Sequence, residues 1–354
     1  MKLLFKKLFH SFLTVIGVIT VVFIFFNVIP ADPAKIMLGQ RDDLRQLENI
    51  NKKYAFDKPL SYQYFYYLND LSCISIHDNS NSDNYTYSGN YNYFTIISFN
   101  NKILVLKFPY LRTSFVKSNK LVTDIILETF PNTCILAFAS ILFALFSGLF
   151  LGILSGYYKY SFIDRFILFF SSLGVALPSF FSAIIFSWFF GFVLFEYTNF
   201  NLTGGLYYID EFGNENHFML KNLILPAFTL GVRPLSVITQ LTRSSYIDIS
   251  QQDYIRTAYA KGLDKFTIIK KHIMKNALNP IVTSVSGWFA SMLAGAVFVE
   301  YIFAWNGIGK EIVEALNNMD LPVVMGCVLL IALVFIIINL LVDVVYLLLD
   351  PRAK

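Results

Sequence analysis

Cysteine, histidine and charge are all scarce in this chain of 354 residues. The three cysteines, Cys73, Cys134 and Cys327, have neither the number nor the spacing of a disulfide framework or a Cys-x-x-Cys metal site. The four histidines, His10, His77, His217 and His272, are scattered, and neither His-Glu-x-x-His nor Gly-x-Ser-x-Gly occurs. The nearest approach to a nucleotide P-loop, Gly307-Ile308-Gly309-Lys310-Glu311, has Ala304 where the first glycine belongs and a glutamate after the lysine. No catalytic, cofactor-binding or metal-ligating set can therefore be read, which disfavours a membrane enzyme and leaves the chain without an ATP site of its own. The net charge of +4 carries no message about nucleic acid, and no nucleic-acid partner is expected.

Apolar residues are what the chain has in excess. They make up 56% of it, with 17% aromatic and only 15% charged residues, more than a water-soluble domain could cover with polar surface. Membrane lipid is the solvent this composition requires. Six stretches reach the roughly 20 apolar residues of a spanning helix: Leu8 to Ile29, Phe130 to Ser155, Phe166 to Phe195, Leu223 to Leu241, Ile281 to Phe303 and Leu321 to Leu349. The first is longer than a signal-peptide apolar region and lacks a small-x-small site at its end, so it reads as a retained span. The expected fold is an all-α polytopic membrane protein with six transmembrane helices.

Lysine and arginine collect on cytoplasmic loops. Lys2, Lys6 and Lys7, then Lys159 and Arg165, the stretch Arg243 to Lys275, and finally Arg352 and Lys354 fall on one side of the six spans. The connections with Asp210, Glu211 and Glu215, and with Lys310, Glu311, Glu314 and Asp320, fall on the other. Both termini are thus expected in the cytoplasm. The organisation reads as a tail and first span over 1–29, an outer loop over 30–129, a five-helix core over 130–349 with a cytoplasmic loop at 247–280, and a tail at 350–354. Within the outer loop, Asp78 to Asn101 is rich in Asn, Ser and Tyr, and the apolar runs flanking Asn100-Asn101 predict a β-hairpin. The triplets at Asn84 and Asn201 match the glycosylation pattern, too common by chance to carry weight.

Gly148, Gly152 and Gly156 form a tandem GxxxG that strips one face of the second span for close helix packing. Pro178 in the third span and Pro226 and Pro234 in the fourth can each kink a helix. Arg233, near the middle of the fourth span, is costly in lipid unless it faces a cavity or a partner. Either it lines a translocation path and meets a peptide carboxylate, or it pairs with an acid or a carbonyl between helices. Asn339 and Asp343, one turn apart, read as partners in hydrogen bonds between helices.

The most informative stretch runs Asp253-Tyr254-Ile255-Arg256-Thr257-Ala258-Tyr259-Ala260-Lys261-Gly262-Leu263 and continues through Lys270-Lys271-His272 to Asn279-Pro280. It predicts a short helix opened by Asp248 and Asp253 and ended at Gly262, then a second, basic helix leading into the fifth span. Small Thr257, Ala258 and Ala260 would leave a surface that another protein can grip, and the lysines could equally rest on anionic headgroups.

This stretch resembles the EAA loop of binding-protein-dependent ABC transporter permeases, in the form of the dipeptide and oligopeptide branch, with Arg256-Thr257-Ala258 standing at the name-giving positions and Gly262 three residues after Tyr259. The likeness extends to Pro30-Ala31-Asp32-Pro33-Ala34, Phe56 to Leu60, Leu225-Pro226-Ala227, Leu241 to Ser245, Glu300 to Trp305, Asn339 to Asp343 and Asp350 to Arg352. Against the family pattern, Asn306 replaces a proline, Ala31 replaces a glycine, and residues from about Ile74 to Phe108 have no counterpart. The resemblance implies a permease subunit of an ATP-driven importer in the bacterial inner membrane, forming half of a path for peptides or similar small solutes. Asp253, Arg256, Thr257, Ala258, Tyr259, Ala260, Lys261 and Gly262 would couple it to the ATPase. The implied partners are a second homologous permease, two cytoplasmic ABC ATPase subunits that use the ATP, and a periplasmic substrate-binding protein. The alternatives are a passive channel or membrane anchor, and a permease for a non-peptide solute such as a metal chelate.

Overall fold

The computed structural model describes residues 2–28, 51, 56–78, 91–117, 120–209 and 216–349. Pro30 to Ala34, the triplet at Asn84, the acidic connection Asp210, Glu211 and Glu215, the tail from Asp350, and the side chains of Lys2, Lys6, Lys7, His217, Asn279 and Asp343 lie outside the described residues. The chain divides into two compact units, 1–128 with 311–330 and 129–310 with 331–354.

The first unit opens with α1 (Lys2–Val28) and α2 (Leu60–Leu71), the latter starting where Pro59, at φ −55° and ψ 149°, turns the chain into the helix. Tyr64 and Tyr67 of α2 pack on Phe23 of α1 with ring centroids 5.2 and 5.8 Å apart, and a 2.7 Å hydrogen bond joins the hydroxyls of Tyr64 and Thr20. Three antiparallel strands follow, β1 (Ile74–Asp78), β2 (Tyr93–Phe99) and β3 (Lys102–Lys107), in the order β1-β3-β2. The expected hairpin forms at Asn100-Asn101, where Asn100 takes the positive φ of 55° that asparagine tolerates best among the larger residues. β1, whose alternation Ile74-Ser75-Ile76-His77 went unread in the sequence, completes the sheet.

In β1 the usual sense of burial is reversed. Ser75, His77 and Lys107 are buried with Ile103 and Val105, while Ile74, Ile76, Phe94 and Leu106 are exposed. The polar side is held by Asp70, which has no exposed surface: its carboxylate accepts from Arg112 Nε at 3.0 Å and from the Tyr91 hydroxyl at 2.9 Å, and its backbone carbonyl accepts from Lys107 Nζ at 2.5 Å. Burial pushes the Lys107 ammonium below the usual lysine range, and the nearby Asp70 opposes that shift. Farther along, Asp320 accepts from the Ser114 hydroxyl and from the Phe115 amide, and Lys117 pairs with Glu311.

Apart from the single turns Phe195–Thr198 and Lys265–Thr267, the helices of the second unit are α3 (Val122–Tyr157, entering from the first unit), α4 (Phe162–Ala176), α5 (Ser179–Trp188, prolonged by a π turn to Val193), α6 (Lys221–Ser250), α7 (Asp253–Ala260), α8 (Met274–Gly295), α9 (Val297–Ile302), α10 (Ile308–Asn317) and α11 (Leu321–Leu349), the last two crossing between the units. Its core gathers Leu136, Ala137, Leu225, Met292, Phe303 and Trp305. Among the described residues, α3, α6 and Leu321–Val342 are long and apolar enough to cross a membrane. A fourth span counts if α4 and α5 are taken as one, and the first and fifth expected spans appear as shorter apolar helices, Phe9–Phe25 and Pro280–Leu293.

The third expected span is not continuous. α4 stops at Ala176, Leu177 is extended at φ −76° and ψ 129°, and α5 departs at 111°. Pro178 is the cause, since it forces its predecessor out of the helical region and has no amide to offer the preceding turn. By contrast α6 remains helical through Pro226 and Pro234. The Asn339 side-chain amide donates to Phe335 O of its own helix at 2.9 Å.

Candidate functional site

The predicted elbow is present as two helical pieces. α6 ends at Ser250, Gln251 and Gln252 turn the chain, and α7 begins at Asp253. Asp248 does not open this helix, because it lies in the last turns of α6. Ile255 and Ala258 are the buried positions of α7, three residues apart on one face, and they pack with Tyr246, Ile268 and Ile273. Asp253, Arg256, Thr257, Tyr259, Ala260, Lys261 and Gly262 are all exposed. Asp253 and Arg256 meet at 3.4 Å, an open ion pair of little energetic consequence.

Gly262 has φ +77°, and its amide donates to Tyr259 O at 2.9 Å while Leu263 N reaches Ala258 O at 3.3 Å, so the helix ends in a left-handed turn. Asp264 caps the next turn by accepting from Thr267 N at 2.9 Å, and the hydrogen bonds from Thr267 hold its carboxyl below the usual carboxylate range. A π turn, Ile268–Ile273, then feeds α8. Of the residues expected to couple, Ala258 faces inward and the others form the outer surface. Sequence reasoning missed the anchor, Ile255, and the exposed apolar rim of Leu263 and Phe266, for which an apolar residue just past a helix-ending glycine was the available signal.

Two of the contacts by which α6 joins this elbow to the bundle are set by particular residues. A methyl group on Gly148 or Gly156 of α3 would come within 2.8 Å of Ile238 or Tyr246, and one on Gly152 would overlap Thr242. The glycine stripe is therefore the bed in which α6 lies, each glycine facing a residue four along from the last. The second contact is Arg243, whose Nε and Nη2 donate to Asp164 at 2.6 and 2.7 Å. Asp164 is buried and also accepts from Ser155 Oγ at 2.5 Å and Tyr160 N at 2.8 Å, so the turn between α3 and α4 is clipped to α6. Asp164 went unnoticed in the sequence, although Ser161, which caps α4 by accepting from Asp164 N, marks a Ser-x-x-Asp helix start.

Arg233 lies on α6 beside a cavity of about 200 Å³. The cavity sits at the break between α4 and α5, walled by Leu177, Ser179 and Ser182 from the break and by Trp288 and Ser291 from α8. Backbone irregularity within an apolar bundle is tolerated where it lines such a space. The Arg233 guanidinium stands 5.8 Å from the Trp288 ring centroid, is exposed, and has no acidic or carbonyl partner among the described residues.

The glycine-lysine turn at Gly307 to Lys310 is filled by the chain itself. Glu300, fully buried, accepts from Gly309 N at 2.7 Å, and a methyl on Gly307 would overlap its carboxylate. Trp305 Nε1 donates to Asn132 O at 3.0 Å, and Ile308 N donates to Thr133 Oγ1 at 2.9 Å. Asn306, in place of the usual proline, receives Lys310 Nζ at 2.9 Å on its side-chain oxygen.

Comparison with known proteins finds relatives along nearly the whole chain. A dipeptide transport system permease protein of Alkalihalophilus pseudofirmus is 31% identical over 352 residues, covering 96% of this chain and 95% of the relative. One of Bacillus subtilis is 32% identical over 349 residues, covering 99% and 96%, and an oligopeptide transport system permease protein of the same organism is 29% identical, covering 99% and 98%. A solved chain of the inward-facing MetNI methionine ABC transporter aligns with a TM-score of 0.45 at 16% identity, covering 63% of this chain and 97% of that one. The N-terminal family of binding-protein-dependent transport system membrane components matches residues 1–88, running into the segment from Ile74 onward that was expected to have no counterpart. The family of binding-protein-dependent transport system inner membrane components matches residues 148–354, which hold the elbow, the clip and the cavity. The chain belongs to this family of inner membrane components.

Proposed function

We propose that this chain is a permease subunit of an ATP-driven importer for peptides or similar small solutes, crossing the bacterial inner membrane six times with both termini in the cytoplasm. The observation that carries the reading is the elbow: a short helix anchored by Ile255 and Ala258, with its polar and small residues turned outward, at the end of a long apolar helix. A passive channel or anchor has no use for such a fixed handle. A cytoplasmic ATPase subunit grips α7, and ATP-driven closure of the two ATPase subunits moves it as a rigid element. The motion passes into α6 and α8 through Tyr246, Ile268 and Ile273, and into α3 through the glycine stripe, tipping the bundle between inward-open and outward-open states. A second, related permease completes the path, and a periplasmic binding protein delivers the solute. The names of the relatives favour a peptide over a metal chelate.

Gly262→Trp tests the coupling role. A Cβ at Gly262 meets nothing within 4 Å, but at φ +77° any L side chain is strained, so Gly262→Ala, which carries the same strain without the bulk, is the control. Uptake in a strain lacking the native subunit is expected to fall at least tenfold while membrane abundance is unchanged. Unaltered uptake, or topology tags that place residues 250–275 outside the cytoplasm, would overturn the proposal.

A further inference from the structure

The cavity at the α4–α5 break has a composition that the fold does not need. Most of its polar wall is hydroxyl, from Ser179, Ser182, Thr229 and Ser291, and among the described residues that line it none is acidic. Arg233 is thus a positive charge near the middle of an apolar helix, without a carboxylate to balance it. Such a charge is expensive in lipid and is retained where it faces water or an incoming anion. The Trp288 ring, 5.8 Å away, restrains the guanidinium without neutralising it. Planar donors held in this way suit the two oxygens of a carboxylate, and the serine hydroxyls of the same wall are further donors. At about 200 Å³ the space is smaller than the roughly 300 to 1,000 Å³ of pockets that enclose a drug-sized ligand. It therefore accepts one end of a solute and leaves the remainder in the path.

We infer that this cavity is a transient binding site for the C-terminal carboxylate of a passing peptide, with Arg233 as its charged contact, Trp288 as the plate that orients it and the serines as secondary donors. The inference rests on the permease reading and adds a solute class and a place of contact. Because other wall residues come from the α4–α5 break and from α8, any motion that shifts these elements against α6 would open the site and release the carboxylate.

The test uses a strain that lacks the native subunit, complemented with wild type, Arg233→Lys or Arg233→Gln at equal membrane abundance. Uptake of a radiolabelled dipeptide that the wild-type chain restores is compared with uptake of the same dipeptide as its C-terminal amide. Arg233→Gln is expected to lower uptake of the free acid at least tenfold and to reduce the preference for acid over amide by at least fivefold. Arg233→Lys, which keeps the charge but loses the bidentate fork, is expected to fall between the two. Free-acid uptake by Arg233→Gln equal to wild type, an unchanged preference, or a lysine variant no better than glutamine would overturn the carboxylate site while leaving the permease reading intact. Failure of the wild-type chain to restore uptake of any peptide would overturn both.

Discussion

Arg243 and Arg233 occupy the same helix in opposite circumstances. Arg243 grips Asp164 with two hydrogen bonds in a buried setting that two further donors complete. Among the described residues, Arg233 faces a cavity with an indole ring beside it and no carboxylate. The first charge is compensated by the fold and makes α6 one mechanical piece with the turn between α3 and α4. The second is left for something that the fold does not contain. Charge in an apolar bundle thus has two uses, and the partner list separates them more clearly than the residue type does.

The largest effect that would test this contrast comes from the bed on which both arginines depend. Gly152→Leu drives a side chain into Thr242 and is expected to abolish stable insertion, read as loss of the protein from isolated membranes. Asp164→Ala is next: removing one member of a buried pair costs about 3–5 kcal/mol, so the purified protein should melt at a clearly lower temperature. Arg243→Met added to Asp164→Ala should recover part of that loss, because it removes the orphaned charge; no recovery would mean that the pair contributes by position and not by charge. Ile255→Ser removes the apolar anchor of α7 and should cost about 2–4 kcal/mol if the elbow is packed as tightly as its burial implies, with protease cleavage near residue 260 as the readout. The smallest effect on stability is expected from Arg233→Gln, whose melting temperature should stay within about 2 °C of wild type, since no folded partner is orphaned. A large destabilisation there would give Arg233 a structural role and dissolve the contrast.

The elbow was legible in sequence because its signals are local. Gly262 at a position of positive φ ends α7, Asp264 caps the turn that follows, and the small residues around Ala258 announce a surface. The break of the third span was half legible: Pro178 predicted a kink, but a proline pattern cannot distinguish a bend from a chain that departs at 111°. Pro226 and Pro234 show the limit of the same rule, since their helix continues. The β2–β3 hairpin could be read from Asn100-Asn101 and β1 from the alternation of Ile74 to His77, whereas the burial of the polar face of β1 could not, because it depends on Asp70 gathering Tyr91, Lys107 and Arg112 from distant parts of the chain.

By itself, the sequence determined that this protein must live in lipid, where its apolar stretches lie, and where a basic elbow interrupts them. These are properties of composition and short-range order, and they follow from the cost of placing polar backbone and charge in hydrocarbon. Only the tertiary structure decided that the glycine stripe is the bed for α6, that Asp164 is the partner of Arg243, and that Arg233 has a cavity in place of a partner. Each of these joins residues on different helices, and no spacing along one helix states which face of another will meet it.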